Sequence, residues 1–255
     1  MQKLFIKNRK QQNIAVLVEK AENPQGLVFV VHGSGGSKTQ DHIEAFAKPF
    51  RDSGYSVIRF DATNSFGESD GDQCDATITG FYQDLEDVIA WSRSQDFYQE
   101  PFTLCGHSLG GISILLYAQN YPQVVSQLVP IASVLSGPSF IREICSQEEL
   151  AKWKQTGMRE YVSKKGLKKR LKYSFVEDAL TYNVLDTAHK ISVPTLLIVG
   201  ELEGTRTIAE QQLFLDRLLG KKELHVIKNA PHTFIAKEHL DETYSIIRNW
   251  VKKIN

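Results

Sequence analysis

The sequence predicts an α/β protein with a mainly parallel central sheet, and two observations carry that expectation. Short apolar runs bounded by turn residues recur at 27–31, 57–60, 102–105, 128–132, 195–199 and 224–227, as strands buried on both faces do. Between them stand segments with helical period: Ile78, Phe81, Tyr82, Leu85, Val88 and Ile89, and later Leu240, Tyr244, Ile247 and Val251. Strand and helix alternate, so helices are expected on both faces of the sheet.

From the N-terminus, Leu4 and Ile6 recur at a spacing of two, as do Ile14, Val16 and Val18. The polar stretch 8–13 between them makes an antiparallel hairpin at the sheet edge. The run at 27–31 opens into the glycine-rich HGSGG, and the run at 102–105 into GHSLGG followed by the helix-like ISILLYAQN. The strand at 128–132 is the sixth. About sixty residues then pass before the next, far more than an αβ loop needs. An inserted helical cap is therefore expected at 134–190, on a body formed by 1–133 and 191–255, the whole being a single domain. Residues 151–175 hold nine Lys or Arg against the single acid Glu160. That basic run, with Lys164, Lys165, Lys168 and Lys169 at its centre, reads either as a solvated helix face or as a guide for anionic substrates. Trp153, Met158 and Tyr161 accompany it, as packing residues or as the lining of an acyl pocket.

Composition narrows the function classes. The chain has 255 residues, 42% hydrophobic and 24% charged, with 30 Lys plus Arg balancing 30 Asp plus Glu. Zero formal charge gives no general attraction to nucleic acid or to an anionic membrane. Cys74, Cys105 and Cys145 are too few and too scattered for a disulfide framework or a zinc cluster. No leader-like or membrane-spanning run is present, so a cytoplasmic setting is expected, without cofactor or metal.

The candidate chemistry centres on serine. With 17 Gly and 19 Ser, a G-x-S-x-G match is expected by chance only about 0.08 times, yet there are two. Ser108 lies between a strand and a helix, the context of a nucleophile elbow. Ser69, in GESDG, has polar loop on both sides and reads as a loop serine. A serine nucleophile needs a base, and among seven histidines His232, in NAPHTF, lies between the last strand and the last helix. His32, His107 and His225 read as structural, and His42, His189 and His239 have no supporting motif. An orienting acid in the order Ser, acid, His is found after TLLIVG: Glu203, with Glu201 as the alternative.

Taken in order, HGSGGS, FDATNSFGESDG, GHSLGG, VGELEG and NAPHTF resemble the α/β-hydrolase family, above all its small cinnamoyl and feruloyl esterases, monoglyceride lipases and S33-peptidase-like members. The resemblance implies an α/β-hydrolase fold and a Ser108–His232–Glu203 triad, with Glu203 where the family usually has Asp. It also implies an oxyanion hole made by the backbone N–H groups of Ser34 and Leu109. The expected activity is cleavage of a small, neutral or anionic carboxylic ester through a covalent acyl-enzyme. Thioester or amide cleavage by the same residues, or ligand binding without turnover, are the alternatives.

Overall fold

A computed structural model describes residues 1–162, 168–204 and 207–254. Its first strands are β1 (Gln2–Lys7), β2 (Asn13–Glu19), β3 (Gly26–Val31) and β4 (Tyr55–Phe60), with α1 (Asp41–Arg51) between the last two. There follow α2 (Ile78–Ser92), β5 (Phe102–His107), α3 (Leu109–Asn120) and β6 (Val125–Ile131). After the insertion come β9 (Thr195–Gly200), α7 (Ile208–Arg217), β10 (Lys222–Ile227) and α8 (Lys237–Ile254). Among the described residues these eight strands form one sheet in the order β1-β2-β4-β3-β5-β6-β9-β10. The N-terminal hairpin pairs antiparallel, as does β2 with β4, and every other pairing is parallel.

Alternation along the strands divides the core in two. Leu27, Phe29 and Val31 of β3 pack with α2 and α3 on one face, whereas Val28 and Val30 meet α1 and α8 on the other. The continuous apolar runs follow directly, because a strand covered on both sides has no polar face to show. Connections from β3 run one way through α1 to β4 and then back through α2 to β5, on the far side of β3. Right-handed crossovers force these two helices onto opposite faces. Beyond the carboxyl ends of β3 and β5 the chain therefore diverges and leaves a crevice, the usual place for a ligand in such sheets.

The insertion contains α4 (Gly137–Ile144), α5 (Gln147–Thr156) and α6 (Ser174–Ala179), as the helical expectation has it, and also an antiparallel hairpin of β7 (Met158–Val162) and β8 (Lys168–Lys172). The basic run is therefore not a single helix. Gly157, with φ +71°, caps α5 in the left-handed conformation that ends helices, and the chain continues as strand. Trp153 packs inside the insertion: it is 1% exposed, donates Nε1–H to Leu171 O at 2.9 Å and stacks on Phe175. Tyr161 of β7 lies opposite Lys169 of β8 in the hairpin. Lys164 and Lys165 lie outside the described residues. Several basic side chains tie the insertion down. Lys172 reaches Asp75 at 2.5 Å and Arg170 approaches Asp72 at 3.6 Å, while the Arg170 N–H donates to Gln73 Oε1.

A buried ion pair joins the loops that follow β3 and β4. Lys38 Nζ lies 2.6 Å from Asp61 Oδ2 and 2.7 Å from Glu68 Oε2, with Lys38 2% and Asp61 0% exposed. The Asp61 carboxylate also accepts the backbone N–H groups of Lys38 and Glu68. Hydrogen bonds from Lys3 and Lys38 pull the Glu68 carboxyl down to about 2. Lys38→Met would leave the Asp61 charge buried without its cation, so it is expected to destabilise the fold by about 3–5 kcal/mol in urea unfolding. The double variant with Asp61→Asn should recover part of that loss, since no buried charge then stands alone.

Candidate active site

Ser108 forms the turn between β5 and α3 and is 4% exposed. Its backbone is strained, with φ 56° and ψ −113°, which costs about 1–3 kcal/mol for a side chain with a Cβ. Packing holds it there. The Ser108 N–H donates to Ile131 O at 3.0 Å, and its carbonyl accepts from Gly111 and Val134. A side chain at Gly110 would overlap the carbonyls of Val31 and His32, so glycine there lets α3 approach the end of β3. A Cβ on Gly33 would lie 2.8 Å from Ser108 Cβ. The loop after β3 thus passes directly beside Ser108.

That loop has a defined shape. Gly36 N–H donates to Gly33 O at 3.0 Å, closing a turn around Ser34 and Gly35, and Gly35 takes φ +60°. His32, fully buried, fixes the entry to this turn. Its Nε2 accepts from Ala62 N–H at 3.0 Å, so the proton is on Nδ1, which donates to Gly33 O at 2.7 Å. Burial lowers its pKa, in keeping with a neutral ring that braces two loops. Leu109 opens α3, and its N–H is one of the first four that have no acceptor within a helix. Ser34 lies within the turn that follows Gly33, and Leu109 directly follows Ser108 at the start of α3.

His232 arrives from the opposite side. It follows β10, three strands away from β5, a distance of about 14 Å at ordinary strand spacing. The loop that carries it crosses the end of β9, where Leu202 N–H donates to Ala230 O at 3.0 Å. Phe234, fully buried against Phe46 of α1, anchors its far end. His107 then clamps it: His107 Nε2 lies 2.9 Å from His232 O and must donate, since a carbonyl only accepts. The two rings pack 4.6 Å apart, with His42 of α1 on the other side of His107 at 4.9 Å. His107 touches both Ser108, its chain neighbour, and the His232 loop. Its sequence position suggests packing under the elbow, but the link to His232 spans 125 residues and leaves no local signal.

The two candidate acids separate cleanly. Glu203 Oε2 lies 2.6 Å from His232 Nδ1, and its side chain is 2% exposed. A turn closed by Glu203 N–H on Gly200 O swings the carboxylate inward. Glu201 is exposed and accepts the N–H of Asn229 at 2.8 Å, bracing the loop that carries His232. The structure thus joins Glu203, His232 and His107 beside Ser108. No group of three or more His, Cys, Asp or Glu that could hold a metal is found among the described residues, and none of their helices is long and apolar enough to cross a membrane.

A family model described as serine aminopeptidase, S33 matches residues 22–239. The chain is similar to the mitochondrial palmitoyl-protein thioesterase ABHD10 of Rattus norvegicus, 26% identical over 77% of this chain and 64% of the rat protein's own length. It is 25% identical to a proline iminopeptidase of Saccharolobus solfataricus, over 89% of this chain and 88% of that one. Among solved structures, ferulic-acid-bound Est1E from Butyrivibrio proteoclasticus has a TM-score of 0.83 at 20% identity, covering 98% of both chains. That likeness establishes the α/β-hydrolase fold.

Ser69, the other serine in a G-x-S-x-G setting, holds the loop after β4. Its hydroxyl donates to Asp61 O at 2.6 Å and accepts from Ala15 N–H of β2 at 2.8 Å. Ser69→Ala leaves the buried Ala15 N–H without that acceptor. A loss of about 1–2 kcal/mol in chemical unfolding is expected, with labelling of the protein by a fluorophosphonate unchanged.

Proposed function

The chain belongs to the serine aminopeptidase, S33 family of α/β-hydrolases, and on that footing we propose that it cleaves carboxylic esters through a covalent acyl-enzyme. Ser108 Oγ attacks the ester carbonyl while its proton passes to His232 Nε2. The Nδ1–H of the same ring donates to Glu203, which fixes the tautomer and stabilises the imidazolium that forms. The N–H groups of Ser34 and Leu109 receive the negative charge of the tetrahedral intermediate, where fixed donors are worth most. As the C–O bond to the alcohol breaks, His232 returns the proton to the leaving oxygen. A water, deprotonated by the same histidine, then releases the acid and restores Ser108.

The observation that carries this reading is the 2.6 Å contact between His232 Nδ1 and Glu203 Oε2. An acid side chain only 2% exposed needs a cationic or hydrogen-bonding partner, and a ring so held is aligned as a base. Glutamate in place of the usual aspartate adds one methylene, which the turn at Gly200–Glu203 accommodates. Relatives described as a thioesterase and an iminopeptidase make thioesters and amides the competing bonds, since each would pass through the same acyl-serine. A cytoplasmic location is part of the same proposal, in line with three buried, unpaired cysteines.

The test is turnover of p-nitrophenyl esters graded by acyl length, with the matched thioester and anilide of one acid, alongside fluorophosphonate labelling and peptide mapping. Label is expected on Ser108, and Ser108→Ala should lose both label and turnover. Glu203→Gln should lower kcat by about 10² to 10⁴, whereas Glu201→Gln stays near the parent rate. Single-turnover acylation without release would instead indicate a ligand-binding protein. A faster thioester or anilide would move the bond class.

A further inference from the structure

Most of the basic run on the insertion is either exposed or occupied. On β8, Lys168, Arg170 and Lys172 share one face by strand alternation, and Lys169 and Leu171 share the other. Leu171 is 4% exposed, so the second face is packed, while the first carries the ion pairs to Asp72 and Asp75. Opposite Leu171 on β7, Arg159 lies over the rings of Trp153 and Tyr161, donates to Ile144 O and approaches Glu149 at 3.7 Å. Lys169 differs from all of these. Its ammonium lies against Gly35, where an added Cβ would overlap it, and 5.5 Å from the centre of the Phe66 ring. No carboxylate among the described residues pairs with it.

Gly35 belongs to the turn that presents the Ser34 N–H, and Gly33, against Ser108, is only two residues away, at most about 7 Å of chain. The ammonium therefore borders the crevice in which Ser108 lies. It is half-buried, and desolvation alone lowers its pKa. A cation removed from water without an anion beside it is unfavourable, and a substrate anion would relieve that.

We propose that Lys169 is a specificity-determining residue that binds a carboxylate carried by the substrate, so that the preferred substrates are monoesters bearing a free acid a few bonds from the scissile carbonyl. Phe66 holds the ammonium over Gly35, and the substrate carboxylate accepts its hydrogen bond while the ester carbonyl reaches the Ser34 and Leu109 donors. The inference rests on the acyl-transfer reading of the site and sharpens it from esters in general to acidic ones. One half-buried lysine, rather than the net charge of the insertion, makes the selection.

The experiment compares kcat/KM for esters with a terminal carboxylate, placed on the acyl side (p-nitrophenyl hemisuccinate and hemiglutarate) or on the alcohol side, with their methyl-ester twins. For at least one placement, the ratio of charged to neutral kcat/KM should fall about ten- to a hundred-fold in Lys169→Met. It should be largely retained in Lys169→Arg and unchanged in Lys168→Met, with thermal unfolding confirming that each variant folds. A ratio unaltered by Lys169→Met at both placements, or one that falls equally in Lys168→Met, overturns the proposal. Should none of the esters turn over, the acyl-transfer reading fails on its own. Calorimetric binding of succinate and glutarate monomethyl esters to the parent and to Lys169→Met then decides the role of the lysine, equal affinities refuting it.

Discussion

Ser108 lies where β5 turns into α3 with the loop after β3 pressed against it, at separations that leave no space for a side chain at Gly33 or Gly110. Everything else at the site depends on that crowding. It holds a strained serine backbone at φ 56°, an arrangement that persists only when its surroundings over-determine it. The same contact that leaves Gly33 no Cβ brings the turn containing Ser34 to the serine's side of the sheet. The strained serine and the close approach of the loop after β3 are thus one packing solution seen from two sides.

The histidine and its acid reach this point by a different route. β9 and β10 end beyond β6, so their loops must cross back over the sheet. A buried carboxylate at Glu203 is tolerable because His232 meets it at 2.6 Å, and Glu201, two residues earlier, braces Asn229 instead of competing for the ring. His107 adds a second hold on the same loop through the His232 carbonyl. Two neighbouring histidines therefore divide the loop between them: His107 holds its backbone while His232 meets Glu203.

On the insertion, like charges have unlike fates because a strand turns alternate residues to opposite sides. Arg170 and Lys172 lie against Asp72 and Asp75 of the body, ion pairs at an exposed boundary that add little stability individually but fix where the hairpin rests. Lys169, between them in sequence, faces the other way and meets Phe66 and Gly35. Resting the hairpin on the acidic loop at 72–75 is what carries that lysine to Gly35 in the loop after β3.

Local pattern determined a large part of this protein. The apolar runs are the strands of the sheet because residues covered on both faces have to be apolar, and the alternation at Leu4, Ile6, Ile14, Val16 and Val18 is the edge hairpin. The strand and helix around Ser108 distinguished it from Ser69, whose motif has the same letters. Order along the chain brought out His232 and Glu203. Tertiary structure alone decided the rest. That Glu203 and not Glu201 meets His232 depends on a turn at Gly200 that no periodicity encodes. That His107 holds a loop 125 residues away depends on β10 lying across the sheet. The strand pair at 158–162 and 168–172 was hidden because a run of lysines and arginines has no apolar period to betray a strand, and Gly157 as a helix stop shows only once α5 is in place. Side-chain chemistry over a few residues is written locally, whereas which of two similar groups faces a crevice is settled by how distant loops pack.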